Sequence, residues 1–246
     1  MRWLDSRDGQ DRNLALRLAV AGLAAALIMI PFTLLLIVAK RPVNGLDKGV
    51  AQELHEFALA HPAMTSFARL WSDVFGPWPW RVAVIAYAAW LLYKGAPRLA
   101  AWAVTTITVG GVLGLVLKIL VARARPVLPD PVALAPGDSF PSGHAVNATL
   151  GAGVLVLLVL PRLPRWGRRV AWAVAWFMAL SVGFTRIALG VHWVSDVVAG
   201  IVLGVAVIVA TAAAFETWRR DVGRTPVQPH SEGVEPESVQ VTNDQI

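Results

Sequence analysis

Uncharged apolar blocks alternate with short basic or polar segments along the chain. Residues 18–39, 82–93, 99–117, 145–160, 170–185 and 197–215 contain no Asp, Glu, Lys or Arg. At 1.5 Å of rise per residue, a hydrocarbon core of about 30 Å requires a helix of about 20 residues. The first, third and sixth blocks meet that length outright. The second gains residues 75–81, with Arg81 snorkelling and Trp78 and Trp80 at the interface, and the fourth and fifth extend into flanks shielded by neighbouring helices. The pattern predicts an all-α polytopic membrane protein with a six-transmembrane-helix bundle over residues 14–220. The first block is longer than the apolar region of a signal peptide and lacks a clear small-residue cleavage site, so it reads as a retained helix.

Two segments outside the spans have patterns of their own. Between residues 40 and 78, Leu46, Val50, Leu54 and Phe57 recur at helical spacing with Asp47, Glu53 and Glu56 between them, which predicts a short amphipathic helix on the outer membrane surface. From residue 221 to 246, Pro, Gly, Ser, Glu and Gln dominate without apolar clustering, which predicts a disordered cytoplasmic tail.

Composition narrows the class. With 56% hydrophobic and 15% charged residues, polar surface is too scarce to cover a water-facing core, and the absence of cysteine excludes a disulfide-stapled scaffold. The formal charge of +6 does not require nucleic acid, because the basic residues sit in short clusters between apolar blocks. Arg2, Arg7, Arg12 and Arg17 of the N-terminal stretch (1–13 and its edge), Lys94 and Arg98, Arg162, Arg165, Arg168 and Arg169, and Arg219, Arg220 and Arg224 share one side of a six-span bundle. The positive-inside rule makes that side cytoplasmic, with both termini on it and the plasma membrane as the expected location. Segments 40–78, 118–144 and 186–196 then face outward. The chain shows no internal repeat, no cysteine-based metal site and no glycine-rich nucleotide loop, and nothing in it marks an oligomeric state.

The outward segments carry the chemistry. Lys118 and Arg125 are seven residues apart, two helical turns, so a continuing helix would point both cations the same way before Pro126 stops it. Ser139-Phe140-Pro141-Ser142-Gly143-His144 leads into the fourth span. Ser142 is a suitable N-cap and Gly143 allows close approach to the backbone, so free N–H groups and the helix dipole offer an anion site with His144 in the first turn. Between spans five and six, His192 and Asp196 are four apart, a spacing at which the carboxylate can fix the tautomer of the imidazole, and Arg186 adds a cation. An Asp at a membrane boundary is costly without a partner. Spans four and five return the chain to the same face, so three cations, a helix N-terminus and two histidines can meet at the bundle mouth. Such a site suits a phosphate, one His attacking and the other protonating the leaving oxygen.

Lys118-x6-Arg125-Pro126, Pro141-Ser142-Gly143-His144 and Arg186-x5-His192-x3-Asp196 resemble the three signature motifs of the type-2 phosphatidic acid phosphatase superfamily, which also holds vanadium haloperoxidases and glucose-6-phosphatases. The resemblance implies a membrane lipid phosphatase without a metal or other cofactor. It implies that His192 is the nucleophile forming a phosphohistidine, that Asp196 orients it and that His144 is the general acid. Lys118, Arg125, Arg186, Ser142 and the Gly143 N–H would hold the phosphoryl oxygens. Thr185 stands where the third motif has Ser before Arg, and the hydroxyl is kept. The expected substrates are an isoprenoid diphosphate such as undecaprenyl pyrophosphate, phosphatidic acid or a related lipid phosphate, acted on at the outer membrane face.

Two other readings are open to the same residues. His144, His192 and Asp196 could form a two-histidine, one-carboxylate metal site, although nearby cations would repel a divalent ion. Six spans also suit a transporter or channel, but such proteins place polar groups near the midplane, and here the spans are uncharged through their centres. Elsewhere, His55, His61 and His230 read as solvated or interfacial, Arg123 as a head-group or interface contact, Asp138 as ordering its loop, and Trp193 as part of an interfacial belt.

Overall fold

The computed structural model of the protein describes residues 45–237, and among these every regular element is helical. The helices are α1 (Gly45–Ala60), α2 (Pro62–Val74), α3 (Pro77–Tyr93), α4 (Pro97–Val121), α5 (Gly143–Val159, continued by a 3-10 turn Leu160–Arg162), α6 (Arg165–Ala188), α7 (Val194–Asp221) and α8 (Pro229–Glu232). Pro stands in the first turn of α2, α3 and α4, where its missing N–H has no helical partner to lose.

Four of these helices are long and apolar enough to cross a membrane: Pro97–Val121, Gly143–Arg162, Arg165–Ala188 and Val194–Asp221. The predicted block at 82–93 falls within the 17-residue α3, and the block at 18–39 lies outside the described residues. The bundle is built around α5, whose span is 78% buried against 17% for α4. Its partners are α3, α4, α6 and α7. Small residues let these helices approach closely, since a Cβ on Gly200 of α7 would sit 2.8 Å from the Ser142 carbonyl oxygen, and one on Gly151 of α5 would sit 2.6 Å from Trp80. Buried Thr106 of α4 donates to Thr211 of α7 at 3.0 Å, a polar tie inside the apolar bundle. The large side chains left outward on α4 and α6, among them Leu113, Leu115, Ile119, Phe177 and Phe184, form a surface suited to lipid rather than water.

Several expectations change. The single amphipathic helix of segment 40–78 is two helices, and α1 buries Asp47, Ala51, His55 and Ala58 while Leu46 and Phe57 are exposed. The inward face is the small and polar one, because Asp47 has buried partners in the bundle. Arg81 does not snorkel outward: its Nε donates to Asn147 Oδ1 at 2.9 Å, and Asn147 Nδ2 donates to the Gly143 carbonyl at 2.8 Å. Residues 222–237 of the expected disordered tail are folded back instead. Fully buried Arg219 donates to the Val234 carbonyl at 2.8 Å and to Glu237 at 2.7 Å, while Trp172 and Arg168 of α6 donate to the carbonyls of His230 and Ser231. Those bonds give polar backbone a folded partner that composition alone does not reveal.

Candidate active site

Because α4, α5, α6 and α7 alternate in direction, the C-terminal ends of α4 and α6 and the N-terminal ends of α5 and α7 lie at one end of the bundle. Lys118, Arg125, Gly143, His144, Arg186 and His192 all line one cavity of about 670 Å³ there, together with Arg69 and Asp73 of α2. The sequence pattern thus located the residues that meet, though not always for the right reason.

Lys118 and Arg125 do not share a helix. α4 stops at Val121, and Ala122 caps it in the left-handed conformation at φ 47°, so Arg125 belongs to the following loop. The pair is assembled by the loop instead. Lys118 Nζ donates to the Asp138 carbonyl at 2.5 Å and Arg125 Nη2 donates to the same oxygen at 3.1 Å. Arg125 also donates to the carbonyls of Pro136, Gly137 and Val191, which fixes its plane at the cavity wall. Asp138 therefore orders the loop as expected, through its backbone.

Ser142 is the N-cap residue of α5, but its side chain makes no capping bond, and its buried Oγ has no partner among the described residues. Its N–H donates to the Asp196 carbonyl at 3.0 Å, so the main chain directly joins the second and third motif segments. The first N–H groups of α5 have no intrahelical acceptor and remain available at the positive end of the helix.

The third segment begins where α6 ends. Gly190, at φ 68°, reverses the chain, and the N–H groups of Val191 and His192 both donate to the Arg186 carbonyl at 3.2 Å. His192 precedes α7 rather than lying on it, yet its Nδ1 sits 3.4 Å from Asp196 Oδ2. At that length the contact is a long electrostatic one rather than a good hydrogen bond. On the other side of the ring, Arg125 Nη1 lies 3.1 Å from Nε2. A guanidinium can only donate, so Nε2 carries the lone pair and the proton sits on Nδ1, facing the carboxylate. Burial pushes the imidazole down to about 4, a shift that Asp196 opposes and Arg125 and Arg186 add to, so His192 is neutral at physiological pH. Arg186, buried, donates to Ser72 of α2 at 2.7 Å, and its Nε has no partner among the described residues.

Sequence reasoning missed a buried network behind this pair. Arg123 is no head-group contact: it is buried and donates to Asp196 Oδ1 at 2.7 Å, to Ser195 Oγ at 2.7 Å and to Asp47 Oδ2 at 2.9 Å. Asp47 also accepts from the Ser195 N–H at 3.0 Å and from its hydroxyl at 2.6 Å. Asp196 Oδ2 accepts from the Trp193 N–H at 2.9 Å. Trp193 is no belt residue either, for it is buried and its Nε1 donates to the Ala124 carbonyl. His55, expected to be solvated, is buried and donates from Nε2 to the Pro129 carbonyl at 2.6 Å. The one available signal was the spacing of Asp47, Ala51, His55 and Ala58, a helical stripe of small and polar residues.

Among the described residues, no three His, Cys, Asp or Glu side chains are grouped so as to hold a metal ion. Asp196 Oδ1 accepts from Arg123 and Oδ2 from the Trp193 N–H, so the carboxylate is held by the buried network. The orphaned Ser142 Oγ and Arg186 Nε, with the cations around them, fit an anion. Beside the cavity runs a second, almost wholly apolar groove of about 610 Å³, lined by Phe57, Met64, Phe67, Trp71, Phe177 and Phe184 among others, and the two share Leu189.

A helical bundle with membrane-crossing helices and a cationic, two-histidine cavity at one end defines a membrane protein built to hold an anion. Residues 99–220 match the PAP2 superfamily. It is 34% identical over 119 residues to an undecaprenyl-diphosphatase of Sulfolobus acidocaldarius, covering 46% of this chain and 54% of that protein. It is 36% identical over 94 residues to phosphatidylglycerophosphatase B of Bacillus subtilis (37% and 46%), and 34% identical over 113 residues to a lipid A 1-phosphatase of Rhizobium etli (42% and 45%). The matches span about half the length of these relatives. The fold is shared with the crystal structure of a transmembrane PAP2-type phosphatidylglycerolphosphate phosphatase from Bacillus subtilis, with a TM-score of 0.65, 22% identity, and coverage of 78% of this chain and 96% of that one.

Proposed function

We propose that the protein is an integral membrane lipid phosphatase that works through a phosphohistidine. The observation that carries the reading is the orientation of His192, whose Nδ1 proton faces Asp196 while its Nε2 lone pair accepts from Arg125 at the wall of a cavity that Lys118 and Arg186 also line, so that a phosphate engaging the Arg125 guanidinium frees Nε2. Nε2 attacks phosphorus in line, a P–N bond forms, and the P–O bond to the lipid breaks with its electron pair passing to oxygen. His144 protonates that oxygen. Water then attacks the phosphohistidine with His144 taking its proton, and inorganic phosphate leaves. Lys118, Arg125, Arg186, Ser142 and the Gly143 N–H neutralise the equatorial oxygens. The three curated relatives are all named as phosphatases, two of them for lipid substrates and one for undecaprenyl diphosphate, which supports a lipid phosphate as substrate. The apolar groove beside the cavity gives the hydrocarbon chain a place to lie.

The same reading includes six spans, the first at residues 18–39, with the reactive end on the outer face of the plasma membrane. The clustering of Lys94, Arg98, Arg162, Arg165, Arg168, Arg169, Arg219 and Arg220 toward the opposite end supports that orientation.

The test is turnover of a lipid phosphate by the purified protein in EDTA. His192→Ala and His144→Ala are each expected to lose activity, the first by at least about 10³-fold and the second by about 10²–10⁴-fold. Acid-quenched wild type should carry a labile phospho-adduct on His192. Full activity in either variant, or strict dependence on a divalent ion, overturns the mechanism.

A further inference from the structure

One cation of the cavity belongs to none of the three motif segments. Arg69, on α2, lines the cavity beside Lys118, Arg125 and Arg186, and its Nη2 donates to the carbonyl of Val132 at 2.5 Å. That bond secures the guanidinium to the loop between Arg125 and Ser139 and uses only part of its five-donor fork. The transferred phosphoryl group is already supplied with three cations, a helix N-terminus and an orphaned hydroxyl. A fourth cation exceeds what that group needs.

Resting on the phosphatase reading above, we propose that Arg69 is a specificity-determining residue that selects lipid diphosphates over lipid monophosphates by holding the phosphate that stays on the lipid. Three observations converge. The cavity, at about 670 Å³, is large enough for more than one phosphoryl group. Its wall carries four cations against one carboxylate, Asp73, an excess that matches the larger charge of a diphosphate. Arg69 and Asp73 are also four residues apart, on one face of α2, so this helix presents a polar wall of its own opposite the motif segments.

In a diphosphate, Nε2 of His192 bonds to the terminal phosphorus. The bond from that phosphorus to the bridging oxygen breaks, the electron pair goes to the bridging oxygen, and His144 supplies its proton. The leaving group is a lipid monophosphate, and Arg69 binds its remaining oxygens as charge gathers there. In a monophosphate ester the leaving group is an alcohol and offers Arg69 no anionic oxygen.

The experiment compares farnesyl diphosphate with farnesyl monophosphate, which share one hydrocarbon chain, on the detergent-solubilised full chain. Wild type is expected to favour the diphosphate in kcat/KM. Arg69→Ala should lower kcat/KM for the diphosphate by about tenfold or more, the value of a charge-assisted hydrogen bond, and for the monophosphate by less than about threefold. Arg69→Lys should restore part of the preference by keeping the charge. Retained monophosphatase activity shows that the variants fold. Equal losses on both substrates, no loss on either, or a wild type that favours the monophosphate would overturn the proposal while leaving the phosphatase reading intact. A wild type inert toward both would overturn that reading and this proposal with it.

Discussion

At the scale of single residues, the proposed mechanism depends on one imidazole staying neutral. Burial lowers the His192 pKa to about 4 from an ordinary 6.5, and attack requires the uncharged ring. The acid limb of kcat/KM for the free enzyme is therefore expected near pH 4, and a limb near 6.5 would show that the ring is solvated. Between those values the unfolded chain binds the proton that the folded one refuses, so stability rises with pH across that window. Arg123 is the second decisive residue. It donates to two buried carboxylates, Asp47 and Asp196, and its removal takes a shared cation from both. Arg123→Ala should destabilise the fold by about 3–5 kcal/mol, read by thermal unfolding in detergent, and a loss within experimental error would show that water reaches the pair.

At the scale of elements, close packing of α5 on α7 sets the geometry. A Cβ at Gly200 would meet the Ser142 carbonyl at 2.8 Å and Ala145 Cβ at 2.9 Å, and backbone cannot swing aside as a side chain can. Gly200→Ala should push the turn before His144 away from His192, lowering kcat more than KM, and an unchanged kcat would mean the helices separate freely. The long helices were legible because runs of apolar residues have only one economical form in a bilayer. The motif residues were legible because their types and spacing carry their chemistry. The end of α4 was not: Ala122 adopts a left-handed cap with neither Gly nor Asn to announce it, and the union of Lys118 with Arg125 comes from a carbonyl twenty residues beyond Lys118. Asp47 was hidden for a related reason. It sat among apolar neighbours at helical spacing, and its true face shows only once Arg123 and Ser195 are in place across the bundle.

At the scale of the whole molecule, the two ends of the bundle have different work. The reactive end gathers cations around a cavity, whereas the far end gathers them along α6 and α7, where Arg168 and Arg219 hold residues 230–237 against the bundle. The chain has no cysteine, so single cysteines can report which end faces which compartment. Leu134 and Trp166 are both well exposed, at 86% and 74%, at opposite ends. In intact spheroplasts, a membrane-impermeant maleimide should label Leu134→Cys and should reach Trp166→Cys only after permeabilisation. The reverse pattern would turn the active site to the cytoplasm.

The tie from the Ser142 N–H to the Asp196 carbonyl has a consequence for how such proteins diversify. A bond between two main chains is indifferent to side-chain identity, so it survives any replacement at position 142 short of proline. The separation of the two turns is then set by the main chain, whatever side chain stands at 142. Around that fixed part, a peripheral wall such as α2 is free to be rewritten, and a new head group can be accommodated without rebuilding the chemistry.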